Sequence, residues 1–131
     1  MSQTNKSAAR ILIADDEPGI RDLLHQALCE TYDCTEVCSA EEALARLRVE
    51  KFDLILSDIT MEGISGLEMV PLARACAPDT VVVMISGEQT IDNAIQAIRA
   101  GAFDYITKPF DLRHVEAAAS RALEHRALLE T

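Results

Sequence analysis

Four short runs of almost unbroken apolar residues constrain this chain more than any other feature: "RILIA" near 10–14, "FDLILS" near 52–57, "TVVVMIS" near 80–86 and "FDYIT" near 103–107. A strand with one face in water alternates polar and apolar residues, so runs this continuous need cover on both faces, as in a parallel sheet held between helices. A fifth β-rich run, "CTEVC" near 34–38, is less uniformly apolar. Between the runs lie helical stripes. Ile20, Leu23, Leu24, Ala27 and Leu28 recur at i, i+3, i+4, i+7 and i+8, and Ile91, Ala94, Ile95 and Ile98 repeat the pattern. Strict alternation of strand and helix predicts right-handed crossovers and a doubly wound α/β domain. Five parallel strands in the order 2-1-3-4-5, with helices on both faces, satisfy it.

Local signals mark the helix ends. Ser39 with Glu42 and Ser65 with Glu68 have capping-box spacing, Thr90 suits a cap, Gly101 suits a C-terminal turn, and Pro18 suits a first helical turn. Pro71 falls about a turn and a half beyond Ser65, where it predicts a late helix start or a kink.

At 131 residues, 49% of them hydrophobic, the chain is sized for one domain with a substantial core. Its formal net charge of -10 repels phosphate backbones and anionic membranes, so direct nucleic-acid or membrane binding is not expected. Cys29, Cys34, Cys38 and Cys76 form no CxxC pair and have no histidine at zinc-finger spacing, which predicts reduced, mostly buried thiols and a cytoplasmic protein. His25, His114 and His125 lie in helical patterns without partners at ligand spacing and read as surface residues. The polar opening "MSQTNKSAAR" lacks an apolar segment, and residues 1–9 read as a loose arm before a domain over 10–125.

The chemistry collects at the carboxyl ends of the strands. The first ends in Asp15, Asp16 and Glu17, the third in Ser57 and Asp58, the fourth in Ser86 and Gly87, and the fifth in Thr107, Lys108 and Pro109. In the 2-1-3-4-5 order the first and third strands are neighbours, so Asp15, Asp16 and Asp58 converge at the switch point where such sheets bind ligands. Two unit charges about 4 Å apart repel by roughly 4 kcal/mol at an effective dielectric near 20, so three carboxylates call for a cation. Oxygen donors of this kind suit Mg²⁺, with Mn²⁺ as a substitute. A carboxylate beside such an ion, with Lys108 adding fixed positive charge and Ser86 a hydroxyl, can stabilise a phosphoryl group in transfer. Asp58 is then the nucleophile, and its product an acyl phosphate.

These residues carry a resemblance. The acidic pair Asp15-Asp16, "SDITMEGISG" around Asp58, "ISG" with Ser86 and "AGAFDYITKPF" with Tyr105 and Lys108 together resemble the receiver domain of two-component response regulators over about residues 10–125. The resemblance implies a flavodoxin-like fold and a phosphoryl group taken onto Asp58 from a histidine kinase or phosphotransfer protein. It implies Mg²⁺ held by Asp16, Asp58 and the main-chain carbonyl of Thr60, with Asp15 acting through water. Ser86 and Lys108 are to contact the new phosphoryl group, and the rotamer of Tyr105 is to follow Ser86. Such a domain is not a turnover enzyme, though it promotes its own phosphorylation and dephosphorylation. Output is to pass through the fourth helix, fifth strand and fifth helix, a surface that could also form a homodimer.

One position departs from the family pattern. Met61-Glu62 stands where Met-Pro is usual, which loosens the loop and adds a negative charge beside the site. Thr60 and Glu88 occupy rim positions that would tune the lifetime of the acyl phosphate. The tail also draws attention, because Ala122, Leu123, Ala127, Leu128 and Leu129 have no evident cover. They predict a longer regulator with a C-terminal output domain, residues 126–131 being a helical tail or linker, or a homodimer that packs the tail.

Rival readings have specific requirements. An aspartyl phosphohydrolase would want an acid two residues after its nucleophile, where Thr60 stands; a flavin binder would want a neutral phosphate loop where "DDEPG" stands. Nucleotide binding would want a GxxxxGK[ST] loop, which is not in the sequence. A pseudo-receiver, an interaction module not controlled by phosphorylation, is the remaining alternative.

Overall fold

The structure, a computed structural model, describes residues 8–87 and 91–129. Strands β1 (Arg10–Ala14), β2 (Asp33–Val37), β3 (Leu54–Asp58), β4 (Val81–Ser86) and β5 (Asp104–Thr107) alternate with helices α1 (Pro18–Leu28), α2 (Ala40–Val49), α3 (Gly66–Cys76), α4 (Ile91–Ala100) and α5 (Leu112–Leu129). All pairings are parallel, in the order β2-β1-β3-β4-β5. This is the doubly wound, flavodoxin-like arrangement that the alternation predicts.

The period of two explains the apolar runs. Leu12, Ile55, Val82 and Met84 face one way and pack with Ala43, Leu47, Met69, Ala73 and Ala97 of α2, α3 and α4. Ile11, Ile13, Leu54, Leu56, Val83 and Ile85 face the other way, onto Leu24 and Leu28 of α1 and Val115, Ala118 and Ala122 of α5. Because each face has its own core, neither set of alternating positions can be polar. β2 is an edge strand, partly exposed along its length, which accounts for its mixed composition. Leu56 is fully buried at the centre of this sheet. The Leu56→Ala variant is therefore expected to lose about 2–5 kcal/mol of stability, read from the midpoint of denaturant unfolding.

Several local expectations need correction. Pro71 lies inside α3, yet the helix does not start late: Ser65 accepts the Glu68 N–H at 3.1 Å while Glu68 accepts that of Ser65 at 2.9 Å. The completed capping box sets the start, and Pro71 only leaves the Leu67 carbonyl without its helical donor. The thiols are not mostly buried. Cys29, Cys38 and Cys76 are exposed and Cys34 is half-buried, because they sit at element ends or on the edge strand. Burial raises the Cys34 thiol to a pKa of about 12, with smaller contributions from Cys29, Asp33 and Glu36.

The tail is better covered than its composition suggests. Ala122 is fully buried and Leu123 packs beside it against the α1 side of the sheet. Arg126 pairs with Asp53 at 3.2 Å, and His125 stacks on Phe103 with ring centroids 4.8 Å apart. Leu128, at 69% exposure, is left in solvent. Ser39 caps α2 and Gly101, at φ 121°, follows α4 as expected, whereas Thr90 lies outside the described residues. No helix among the described residues is long and apolar enough to cross a membrane.

Candidate functional site

Sheet register sets the site before any side chain is considered. Ala14 pairs with Ser57, Asp58 with Ile85 and Ser86 with Thr107, so the chain leaves β1, β3, β4 and β5 at nearly one level. Asp15, Asp58, Ser86 and Lys108 are thereby brought to the same rim. One carboxylate oxygen from each of Asp15, Asp16 and Asp58 lies within 4.8 Å of the others. Asp15 and Asp58 are buried and Asp16 is exposed, which leaves the cluster open to solvent on one side.

The backbone around Asp15 is tightly held. Its Oδ1 accepts the Glu17 N–H at 2.9 Å, and its carbonyl accepts from Arg21 Nη1 at 2.7 Å. Lys108 enters from the far side of the crevice, its own N–H donated to the Ser86 carbonyl at 2.7 Å. Its ammonium stands 3.3 Å from Asp58 Oδ2, 3.4 Å from Asp15 Oδ2 and 3.3 Å from Glu17 Oε1.

The loop after Asp58 is anchored despite lacking the usual proline. Met61 is buried in the core, Glu41 Oε2 accepts the Ile64 N–H at 3.1 Å, and Gly66 N–H donates to the Ile59 carbonyl at 2.7 Å. Glu62 is exposed, as is Thr60, whose backbone N–H favours the charged form of the Asp58 carboxylate. Ser86 is buried, Tyr105 is half-buried against the core beneath α3 and α4, and Glu88 lies outside the described residues.

Charge in this crevice is unbalanced. Burial first, then the neighbouring Asp15, raises the pKa of Asp58, while Lys108 and the Thr60 N–H pull it down. Burial likewise raises Asp15, against the Glu17 N–H and Lys108. Burial opposes the Lys108 ammonium, but Asp15, Asp58 and Glu17 outweigh it and raise its pKa. One ammonium paired with three acids, with Asp16 a fourth in the cluster, leaves a surplus of negative oxygen ligands, two of the acids buried, and this donor set fits a hard divalent cation.

That imbalance has a pH signature. A carboxyl whose pKa is higher in the folded than in the unfolded chain holds its proton longer when folded, so its effect on stability falls as pH rises between the two values. In metal-free protein the melting temperature of wild type, minus that of Asp58→Asn, is expected to fall as pH rises from about 4 and to stay low above the folded-state pKa. Saturating Mg²⁺ should reverse the loss in wild type and have much less effect in the variant. A difference that does not change with pH or Mg²⁺ would mean the carboxylates are not clustered.

Sequence reasoning located Asp15, Asp16, Asp58, Ser86 and Lys108 on these strand ends and Tyr105 within the fifth strand, but it gave no role to Glu17, Arg21, Glu41 or Gly66. The only advance signals were the acid run ending at Glu17 and a glycine immediately after the Ser65 cap.

Comparison with known proteins places these features. Residues 11–120 match the family model described as the response regulator receiver domain. The response regulator protein PilR of Pseudomonas aeruginosa is 42% identical over 124 residues, covering 92% of this chain and 27% of that protein. The chain thus spans about a quarter of the length of the curated relatives it matches. Among solved structures, the CheY-like receiver domain protein of Methanospirillum hungatei has a TM-score of 0.87 at 32% identity, covering 92% of this chain and 98% of that one. NtrX of Brucella abortus, solved with ADP, has a TM-score of 0.88 at 38% identity over 94% of this chain and 29% of its own.

Proposed function

The chain belongs to the response regulator receiver domain family, and from that premise we propose that Asp58 is the carboxylate that receives the phosphoryl group. The observation that carries this assignment is the position of Asp58 Oδ2, buried yet 3.3 Å from Lys108 Nζ and grouped with Asp15 and Asp16. An Asp58 oxygen attacks the phosphorus of a phosphohistidine on a histidine kinase or phosphotransfer protein. The P–N bond breaks, its electron pair stays on the imidazole nitrogen, and an acyl phosphate forms.

Lys108 balances charge gathering on the phosphoryl oxygens, and Ser86 hydrogen-bonds to the attached group. Asp16, Asp58 and the Thr60 carbonyl would hold Mg²⁺, or Mn²⁺ in its place, with Asp15 acting through water. Bound there, the cation supplies positive charge that neutralises the carboxylates and the phosphoryl oxygens. No external substrate is turned over; the domain promotes its own phosphorylation and dephosphorylation, with Thr60 and Glu88 at the rim governing access of water to the acyl phosphate.

Phosphorylation adds charge and acceptors between Ser86 and Lys108, which shifts the packing of α4, β5 and α5 and the rotamer of Tyr105. The functional unit is a receiver over 10–125, continued by a helical tail or linker toward a C-terminal output domain, in a cytoplasmic protein able to pair through the α4-β5-α5 face. No observation favours the interaction-module alternative, since the acids, the hydroxyl and the lysine all stand at the strand ends. Intact-mass analysis after incubation with Mg²⁺ and phosphoramidate tests the proposal. One phosphoryl increment, lost when a chelator replaces the metal, is expected; no increment with metal present would overturn it.

A further inference from the structure

Glu17 occupies the N-cap position of α1, with extended backbone angles (φ -96°, ψ 112°), yet its side chain makes no capping hydrogen bond. Residues with short acceptor side chains are preferred there because they satisfy an open helix N–H. Glu17 instead extends its carboxylate to Lys108, Oε1 lying 3.3 Å from Nζ. The ammonium has three N–H groups, and Asp15, Asp58 and Glu17 each place a carboxylate oxygen 3.3–3.4 Å away. When Asp58 is phosphorylated the N–H that it held passes to the phosphoryl group it carries, and a second N–H can reach that group only if Asp15 or Glu17 gives up its place.

Burial decides which. The Asp15 side chain is 1% exposed, so parting it from Lys108 would leave a desolvated charge without its cation. The Glu17 side chain is 63% exposed, and water can replace the lysine at little cost. Resting on the assignment of Asp58 above, we infer that Glu17 is a positioning residue that parks the Lys108 ammonium beside the nucleophile and exchanges it for the phosphoryl group. Its contact is an autoinhibitory one, weakening phosphoryl capture in exchange for an ordered lysine in the resting site.

Two variants separate contact from charge. Glu17→Gln removes the charge, whereas Glu17→Asp keeps it but shortens the side chain so that it reaches the α1 cap and not Lys108. Wild type and both variants, their folding checked by melting, would be phosphorylated with phosphoramidate and Mg²⁺ over a range of donor concentrations. Equilibrium binding of beryllium trifluoride, a phosphoryl mimic, would be measured in parallel. Both variants are expected to capture phosphoryl groups and bind the mimic roughly two- to fivefold better than wild type, the factor set by a half-exposed ion pair. The gain should appear in the rate at saturating donor. If only Glu17→Gln improves, the effect is long-range charge and the inference is overturned; it is equally overturned if neither variant differs from wild type. Failure of wild type to take up any phosphoryl group would instead refute the assignment of Asp58.

Discussion

Replacing Asp58 with alanine is expected to abolish phosphoryl uptake altogether, leaving no mass increment after incubation with Mg²⁺ and phosphoramidate. The other acids in the cluster cannot substitute. Asp15 is buried, with one oxygen engaged by the Glu17 N–H and the other facing Lys108. Asp16 is exposed, and no ion pair joins it to Lys108 among the described residues. Only Asp58 combines burial, the Lys108 ammonium at 3.3 Å and the Thr60 N–H. The same substitution should raise the melting temperature of the metal-free protein at neutral pH, because it removes a carboxylate that burial and Asp15 both disfavour in its charged form. Lost phosphorylation with gained stability separates a functional acid from a structural one. An undiminished phosphoryl increment in the variant would place the acceptor elsewhere.

The second large effect is expected at Gly66, a residue with no chemistry. A methyl group there would overlap the carbonyl oxygen of Asp58, come within 2.6 Å of Met84 Cε and lie 3.0 Å from Ile59 Cα. Two of the three neighbours are backbone, so the strain cannot be relieved by a side chain turning aside. Alanine gains about 1 kcal/mol over glycine in helix propensity, but a clash against fixed backbone outweighs it. Gly66→Ala is expected to destabilise the fold by about 3 kcal/mol and, by displacing the residues around Asp58, to slow phosphorylation in whatever fraction stays folded. Gly19, in α1, is the control. A Cβ there meets nothing within 4 Å, so Gly19→Ala should add about 0.4–1 kcal/mol and leave phosphorylation unchanged. Equal effects at the two glycines, measured by denaturant unfolding, would show that α3 does not approach the end of β3 this closely.

What could be read in advance divides along physical lines. Ser65 and Glu68 announced the start of α3 because a capping box is a contact between residues three apart. The late start that Pro71 suggested does not occur, because the cap and the Gly66 to Ile59 bond outweigh its one missing hydrogen bond. Ala122 and Leu123 looked uncovered for a similar reason: their cover comes from residues about a hundred positions earlier in the chain, such as Leu24 and Ile11. The exposed thiols follow the same rule, since burial at an element's end depends on which neighbour happens to pack there.

The sequence alone determined that the chain forms a doubly covered parallel sheet, and that acids, a hydroxyl and a lysine terminate its strands. Both follow from hydrophobic period and residue order, which are local properties. Only the tertiary structure decided that Lys108 is divided among Asp15, Glu17 and Asp58, and that Gly66 must lack a side chain. Those depend on distances between segments far apart in the chain, and side-chain reach and van der Waals overlap change over an ångström that no linear pattern records.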